Sequence, residues 1–172
     1  LIVCNKEDLK NYKNLFQNGE SLGIKILYKI QKKANGIVGA MLECEQFIGE
    51  DNFLLMLGDN FFYGNELIKN ISKVIDDDKI PAIFTYNVLN YMNFGIVEYN
   101  KKAKIKKIHE KPKKKFSSHA VLGMYFLNKD AFVYGKKLKM SKRGEYEISD
   151  LLNIYLKKNK KISSLHLKRG FT

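Results

Sequence analysis

Asp59 and Asn60 end an apolar run, Phe53-Leu54-Leu55-Met56-Leu57-Gly58-Asp59-Asn60-Phe61-Phe62-Tyr63-Gly64, and they are the side chains whose placement points most directly to chemistry. A short unbroken apolar run bounded by turn residues predicts a fully buried strand of a parallel sheet. Ligands of open α/β sheets bind just past the carboxyl ends of such strands. Gly58 lets the chain turn there, after which Asp59 offers a carboxylate and Asn60 an amide. A carboxylate so placed suits Mg²⁺, which takes one or two carboxylates together with substrate phosphate oxygens. Capping the next turn is the other role open to an Asp at this position. The three histidines, His109, His119 and His166, share no spacing that suggests a site. Cys4 and Cys44 lie far apart with no His cluster near either, which argues against zinc and for reduced, buried thiols. Asp76-Asp77-Asp78 lacks any EF-hand pattern around it.

The elements that must position Asp59 follow from the hydrophobic pattern. Leu1–Cys4 predicts a strand, and Asn5 with Asp8 a helix start resembling a capping box. Leu9, Tyr12, Leu15 and Phe16 give that helix one apolar face. Gly23 introduces a strand over residues 24–30, and a polar loop over residues 31–36 follows. Ile37, Met41, Cys44 and Ile48 line a second helix. After the strand at residues 53–57 come a helix marked by Leu67, Ile71, Val74 and Ile75 and a strand over residues 82–88. This strand–helix alternation predicts an α/β domain with a largely parallel sheet. Beyond Asn90 the texture changes to a hairpin, residues 94–99 and 104–109, turning at Asn100 and Lys101. A strand at residues 120–127 and a helix over residues 131–138 follow. Ile148, Leu151, Leu152, Tyr155 and Leu156 mark an amphipathic helix, and residues 162–167 a last strand. With no repeat or linker, one domain is the simplest count.

At 172 residues and 45% hydrophobic, the chain is long enough for a full core and too apolar for disorder. No apolar run approaches the roughly 20 residues that cross a bilayer, and no signal peptide is visible. The net charge of +13 invites a nucleic-acid reading, but only Arg143 and Arg169 are arginines. Nucleic-acid sites favour Arg for bidentate contacts, so the charge is assigned to solvated lysine faces that also attract anionic substrates. The expectation is no nucleic-acid partner and no membrane.

Several stretches, in order along the chain, resemble the glucose-1-phosphate thymidylyltransferases of the sugar-phosphate nucleotidyltransferase family. Leu57-Gly58-Asp59-Asn60-Phe61-Phe62-Tyr63-Gly64 looks like their metal-binding segment, and Tyr28-Lys29-Ile30-Gln31 with Asn35-Gly36 like their base-recognition segment. Phe94-Gly95-Ile96-Val97-Glu98, Glu110-Lys111-Pro112 and Ala120-Val121-Leu122-Gly123-Met124-Tyr125-Phe126 resemble their sugar-site strands. Arg143-Gly144-Glu145-Tyr146-Glu147-Ile148-Ser149-Asp150 matches a further segment. The resemblance implies a Rossmann-like nucleotidyltransferase fold, a mixed, mostly parallel sheet flanked by helices. It implies transfer of a nucleotidyl group from dTTP to glucose 1-phosphate, with Mg²⁺, in a cytoplasmic homo-oligomer that feeds deoxysugar synthesis. Asp59 would hold the metal and contact the nucleotide. Gln31 would pair with the base, and Gly36 would let the backbone approach the nucleotide. Asn60, Gly95, Glu110, Lys111 and Val121 would form the sugar site, with Glu110 accepting from adjacent hydroxyls and Lys111 placing charge on the phosphate. Arg143 would either reach a phosphate or pair with Glu147.

The departures shape what can be expected. The family's Gly-rich phosphate loop would lie upstream of Leu1, and its second metal-binding Asp shortly after Gly170. The sequence therefore reads as a fragment, short of at least one central strand and inactive alone. Ile37-Val38-Gly39 stands where Leu-Ala-Gln is more usual, Phe94 where Tyr is common, and Leu122 where Thr is common. The first of these leaves the base open. The alternatives are a uridylyl- or other nucleotidyltransferase acting on a different sugar 1-phosphate, or a non-catalytic sugar-nucleotide binder.

Overall fold

The computed structural model describes residues 1–64, 66–76, 81–158 and 160–167. Its strands are β1 (Ile2–Cys4), β2 (Tyr28–Ile30), β3 (Phe53–Met56), β4 (Ala82–Asn87), β5 (Gly95–Tyr99), β6 (Ile105–Glu110), β7 (His119–Leu127) and β8 (Ser163–His166). Its helices are α1 (Leu9–Phe16), α2 (Ile37–Leu42), α3 (Glu45–Ile48), α4 (Leu67–Asp76), α5 (Asp130–Gly135) and α6 (Ile148–Lys157). Asp77 and Asp78 of the acidic run, and Arg169–Thr172, lie outside the described residues.

The frame is β7, which is buried from Ala120 to Leu127. Its side chains alternate between two cores. Val121, Tyr125 and Leu127 pack with residues of α2, α5 and α6, including Met41, Phe132 and Tyr155. Leu122, Met124 and Phe126 pack on the other face with Phe84 and with Val74 of α4. Each large side chain so buried contributes roughly 1.5–3 kcal/mol. A one-residue slip of β7 would exchange the faces, so its register is strongly fixed.

β3, β4 and β5 all pair antiparallel with β7, β8 pairs parallel with β4, and β6 pairs antiparallel with β5. β3, β4, β5 and β8 therefore run one way, and β6 and β7 the other. The α/β class and the mixed sheet flanked by helices are as expected. The ladders are less parallel than expected, because β7 inserts between strands that share a direction. β1 and β2 form a separate two-stranded parallel sheet.

The expectation for β3 needs correcting. Phe53, Leu54 and Leu55 are only half-buried, Met56 is 50% exposed, and the pairing is antiparallel. β3 lines a groove of about 830 Å³ that it shares with residues 1–3 and with Tyr12 and Phe16 of α1. α1 forms where its periodicity places it but buries no residue. The expected strand at residues 24–30 is regular only over Tyr28–Ile30, and the single helix through Ile37–Ile48 is broken into α2 and α3. Asn5 does not cap α1 as expected: its Oδ1 accepts the Asp8 N–H at 2.8 Å in the turn before the helix, and α1 begins at Leu9 with Asp8 at its N-cap and no side-chain capping bond. Cys4 and Cys44 are free thiols, and burial pushes the Cys44 thiol up. Among the described residues no helix is long and apolar enough to cross a membrane.

Candidate functional site

The site arises where two strands share one edge of β7. β3 takes Met124–Leu127 and β5 takes Ala120, so neither ladder holds the span between. On the opposite edge the register with β4 jumps from Ile83↔Tyr125 to Thr85↔Val121, leaving Phe84 alone against Leu122–Met124. β7 thus bulges around Gly123, as strands often do beside a site. Gly123 is gripped on both sides: its carbonyl accepts the Leu57 N–H at 2.8 Å, and its N–H donates to Asn60 Oδ1 at 3.1 Å. A Cβ here would lie 2.8–2.9 Å from the Asn60 amide, so only glycine lets Asn60 lie against the strand.

The parting of β3 and β5 opens a cavity of about 580 Å³, and Asp59, Asn60, Gly95, Glu110, Lys111 and Val121 all line it. Gly95 and Glu110 face each other across the β5–β6 ladder. Lys111 holds a left-handed backbone, φ +40°, while its N–H donates to the Phe94 carbonyl at 3.0 Å. A non-glycine residue in that region is disfavoured, and such strain gathers at functional sites. Asn60 Nδ2 donates to Asp59 Oδ1 at 2.6 Å, which fixes the exposed carboxylate at the cavity mouth.

Gln31 and Gly36 fall in the neighbouring groove, which meets the cavity at Ile37, Leu57, Gly58 and Glu145. The residues expected on the nucleotide side and those expected on the sugar side are therefore contiguous. Gln31 Nε2 donates within its own loop, to Asn35 Oδ1 at 3.0 Å and to the Gly36 carbonyl at 3.3 Å. Gly36, at φ +94°, has a local need to be glycine: a Cβ would meet the Tyr146 carbonyl oxygen at 2.9 Å and Glu145 Cβ at 3.0 Å. The 31–36 loop is also tied to the segment before α6 by Tyr146 N–H donating to the Asn35 carbonyl at 2.8 Å.

Cavity residues given no role from the sequence include Tyr125, Glu145 and Ser149. Tyr125 sits four residues from Val121 on one strand, so the period of two already places both on one face. Burial, with help from Glu110 and Asp59, holds its phenol far above its usual range. Arg143 pairs loosely with three carboxylates, with Glu145 at 3.3 Å, Glu147 at 3.5 Å and Glu110 at 3.7 Å. Burial raises the Glu110 carboxyl, and the Glu147 charge adds to this; Ser149, Lys111 and Arg143 oppose it. Ser149 Oγ is buried and lies near enough to Glu110 to act on it, yet makes no hydrogen bond of normal geometry.

Among the described residues no cluster of three or more His, Cys, Asp or Glu could hold a metal alone. One carboxylate with an oxygen left over fits Mg²⁺, whose remaining ligands would be phosphate oxygens and water. It does not fit a metal held wholly by protein.

Residues 1–170 match the family described as nucleotidyl transferase. A glucose-1-phosphate thymidylyltransferase of Neisseria meningitidis serogroup A is 39% identical over 171 residues, covering 99% of this chain and 59% of that protein. One of Mycolicibacterium smegmatis is 35% identical over 156 residues, covering 91% of this chain and 54% of that protein. The chain thus spans little more than half the length of these relatives. A Bacillus anthracis crystal structure, provisionally named a glucose-1-phosphate thymidylyltransferase and solved with a sucrose, superposes with a TM-score of 0.86 at 32% identity, over 97% of this chain and 67% of that one. A UDP-glucose pyrophosphorylase complexed with UDP-glucose has a TM-score of 0.80 at 24% identity, over 96% of this chain and 70% of that one, a likeness of fold alone.

Proposed function

This chain belongs to the nucleotidyl transferase family, and on that premise we propose that the protein transfers the thymidylyl group of dTTP to glucose 1-phosphate, giving dTDP-glucose and pyrophosphate. The observation that carries the reading is the meeting of Asp59 and Asn60 with Gly95, Glu110, Lys111 and Val121 in one cavity. In this reaction a phosphate oxygen of the sugar phosphate attacks the α-phosphorus, a new P–O bond forms, and the bond to pyrophosphate breaks. The nucleophile already carries charge, so no base has to activate it; positioning and positive charge suffice. Glu110, half-buried against β5, accepts from adjacent sugar hydroxyls, while Gly95 leaves its backbone open beside them. Val121 walls the ring. Lys111, and Arg143 once drawn from its carboxylates, place charge on the phosphate. Gln31 exchanges its loop bonds for the edge of the base. Asp59 would hold Mg²⁺, which supplies charge neutralisation on the phosphates.

The identity of the relatives supports thymidylyl over uridylyl transfer, and no other observation favours the second. By the same reading the protein acts in the cytoplasm as a homo-oligomer. The test uses the full-length reading frame, purified and supplied with dTTP or UTP, glucose 1-phosphate and Mg²⁺. Asp59→Asn should keep the wild-type circular dichroism spectrum and lose at least about 100-fold in turnover. Unchanged turnover would remove Asp59 from the chemistry.

A further inference from the structure

Glu147 is the carboxylate in this region that burial makes most conspicuous, at 8% exposed. It sits at the junction between the segment carrying Arg143 and the first turn of α6, and it lines the cavity. A buried carboxylate is tolerated only when bonded or paired. Its Oε1 accepts the Ser141 hydroxyl at 2.7 Å and faces Arg143 Nη1 at 3.5 Å. Ser141 Oγ in turn accepts the Arg143 backbone N–H at 3.1 Å, and the Ser141 N–H donates to the Glu145 carbonyl at 2.8 Å. The segment therefore closes on itself around Glu147, which faces the guanidinium directly and reaches the Arg143 backbone through the Ser141 hydroxyl. Without Glu147, the exposed Arg143 would have Glu145 at 3.3 Å and Glu110 at 3.7 Å as its remaining partners. Either would draw the guanidinium onto a side chain that also lines the cavity, and Glu110 would be neutralised where it must accept hydroxyls.

We infer that Glu147 is a positioning residue, which with Ser141 holds Arg143 between the walls of the cavity so that it meets an incoming sugar phosphate and does not close further on Glu110, with which it pairs only at 3.7 Å. The inference rests on the sugar-phosphate reading of this cavity and adds to it a residue that acts only through another. It has two consequences, of which the first would not follow from a merely structural Glu147. First, losses from Glu147 and Arg143 overlap rather than add. Second, the charged and titratable groups facing Glu110 are Glu147 and Arg143 from the segment before α6, its neighbour Lys111, and Tyr125 of β7. Removing the Glu147 charge lets Glu110 ionise at lower pH.

The experiment is calorimetric titration of glucose 1-phosphate into the full-length protein, as wild type, Glu147→Gln, Arg143→Lys and the double variant, from pH 4.5 to 8, with thermal melts as a check on folding. Glu147→Gln should weaken binding about tenfold, as for loss of a hydrogen-bonded charged partner. The double variant should bind no more weakly than the weaker single, and the acid limb of binding should move to lower pH. Additive losses, an unmoved limb, or Glu147→Gln binding within twofold of wild type would each overturn the assignment. So would absence of glucose 1-phosphate binding in wild type. If Glu147→Gln does not fold, Ser141→Ala takes its place: about threefold weaker binding, non-additive with Arg143→Lys, supports the inference, and unchanged or additive binding overturns it. Turnover with dTTP is scored separately. A protein that binds glucose 1-phosphate but makes no dTDP-glucose would end the proposed activity and leave the Glu147 result standing on binding.

Discussion

Glu110 shows at the scale of one residue how the site sets function against stability. Burial leads the causes that raise its carboxyl pKa, and the Glu147 charge adds to it. A carboxyl raised on folding binds its proton more tightly in the folded state. Its stabilising contribution is complete below the unfolded value near 4.5 and is lost as pH rises through the higher folded value. At neutral pH the ionised side chain is therefore a net cost, modest because it remains about a quarter exposed. Glu110→Gln should raise the melting temperature at pH 7 by about 1–2 °C, show no gain at pH 4, and abolish glucose 1-phosphate binding. Thermal unfolding at the two pH values checks this; a variant that melts lower at pH 7 would mean that the pairing with Arg143 outweighs burial. The Glu-Lys-Pro stretch marked Glu110 and Lys111 in the sequence. The left-handed backbone of Lys111 left no such mark, because nothing in a lysine's type signals positive φ.

At the scale of elements, α6 does more than cover the sheet. β6 is the edge of the six-stranded sheet, and the main chain of Ile108, 2% exposed, would be left without a ladder partner there. Asn153 of α6 supplies one: its Oδ1 accepts the Ile108 N–H at 2.9 Å, and its Nδ2 donates to the Ile108 carbonyl at 2.8 Å. One amide side chain thus imitates a strand residue and locks the strand that ends in Glu110 to the helix that begins near Ser149. Asn153→Leu strands a buried N–H and C=O together and should cost about 2–3 kcal/mol. Urea unfolding would measure that cost, and a loss of glucose 1-phosphate affinity with it would show that the same lock places Glu110. A variant as stable as wild type would mean that water replaces the amide. The sequence makes α6 plain through Ile148, Leu151, Leu152 and Tyr155, but Asn153 reads there as one more polar residue on the solvent side. β7 is equally plain as an apolar run, whereas its direction is not: alternation fixes faces, and only the connection fixes which way a strand enters. β3 misled for a related reason, since five apolar residues show what a segment can bury and not whether a neighbour is present to cover it.

At the scale of the whole fold the described residues divide into two parts of unequal support. β3 to β8 form one six-stranded sheet with a core on each face, whereas β1 pairs with β2 in a sheet of two and α1 between them buries nothing. The 830 Å³ groove lies between the two parts, with Gln31 and Gly36 along it, and it meets the cavity that Asp59 lines at Leu57 and Gly58. Opening free energy follows local burial and hydrogen bonding, so in this 172-residue chain native-state hydrogen exchange should release the amides of β1, α1 and β2 at lower denaturant than those of β4 and β7. Tyr146 should go with the first group, although it lies far along the chain, because its N–H is bonded to the Asn35 carbonyl and Gly36 packs against its backbone. Its neighbours in α6, such as Leu151 and Leu152, are fully buried and should exchange with the second group. Exchange of all these amides at one common free energy would mean a single cooperative unit. Exchange of Tyr146 with α6 would mean that the 31–36 loop moves independently of the segment carrying Arg143. The predicted split would instead make the contact between Asn35 and Tyr146 the mechanical link between the groove that holds Gln31 and the cavity that holds Glu110 and Arg143.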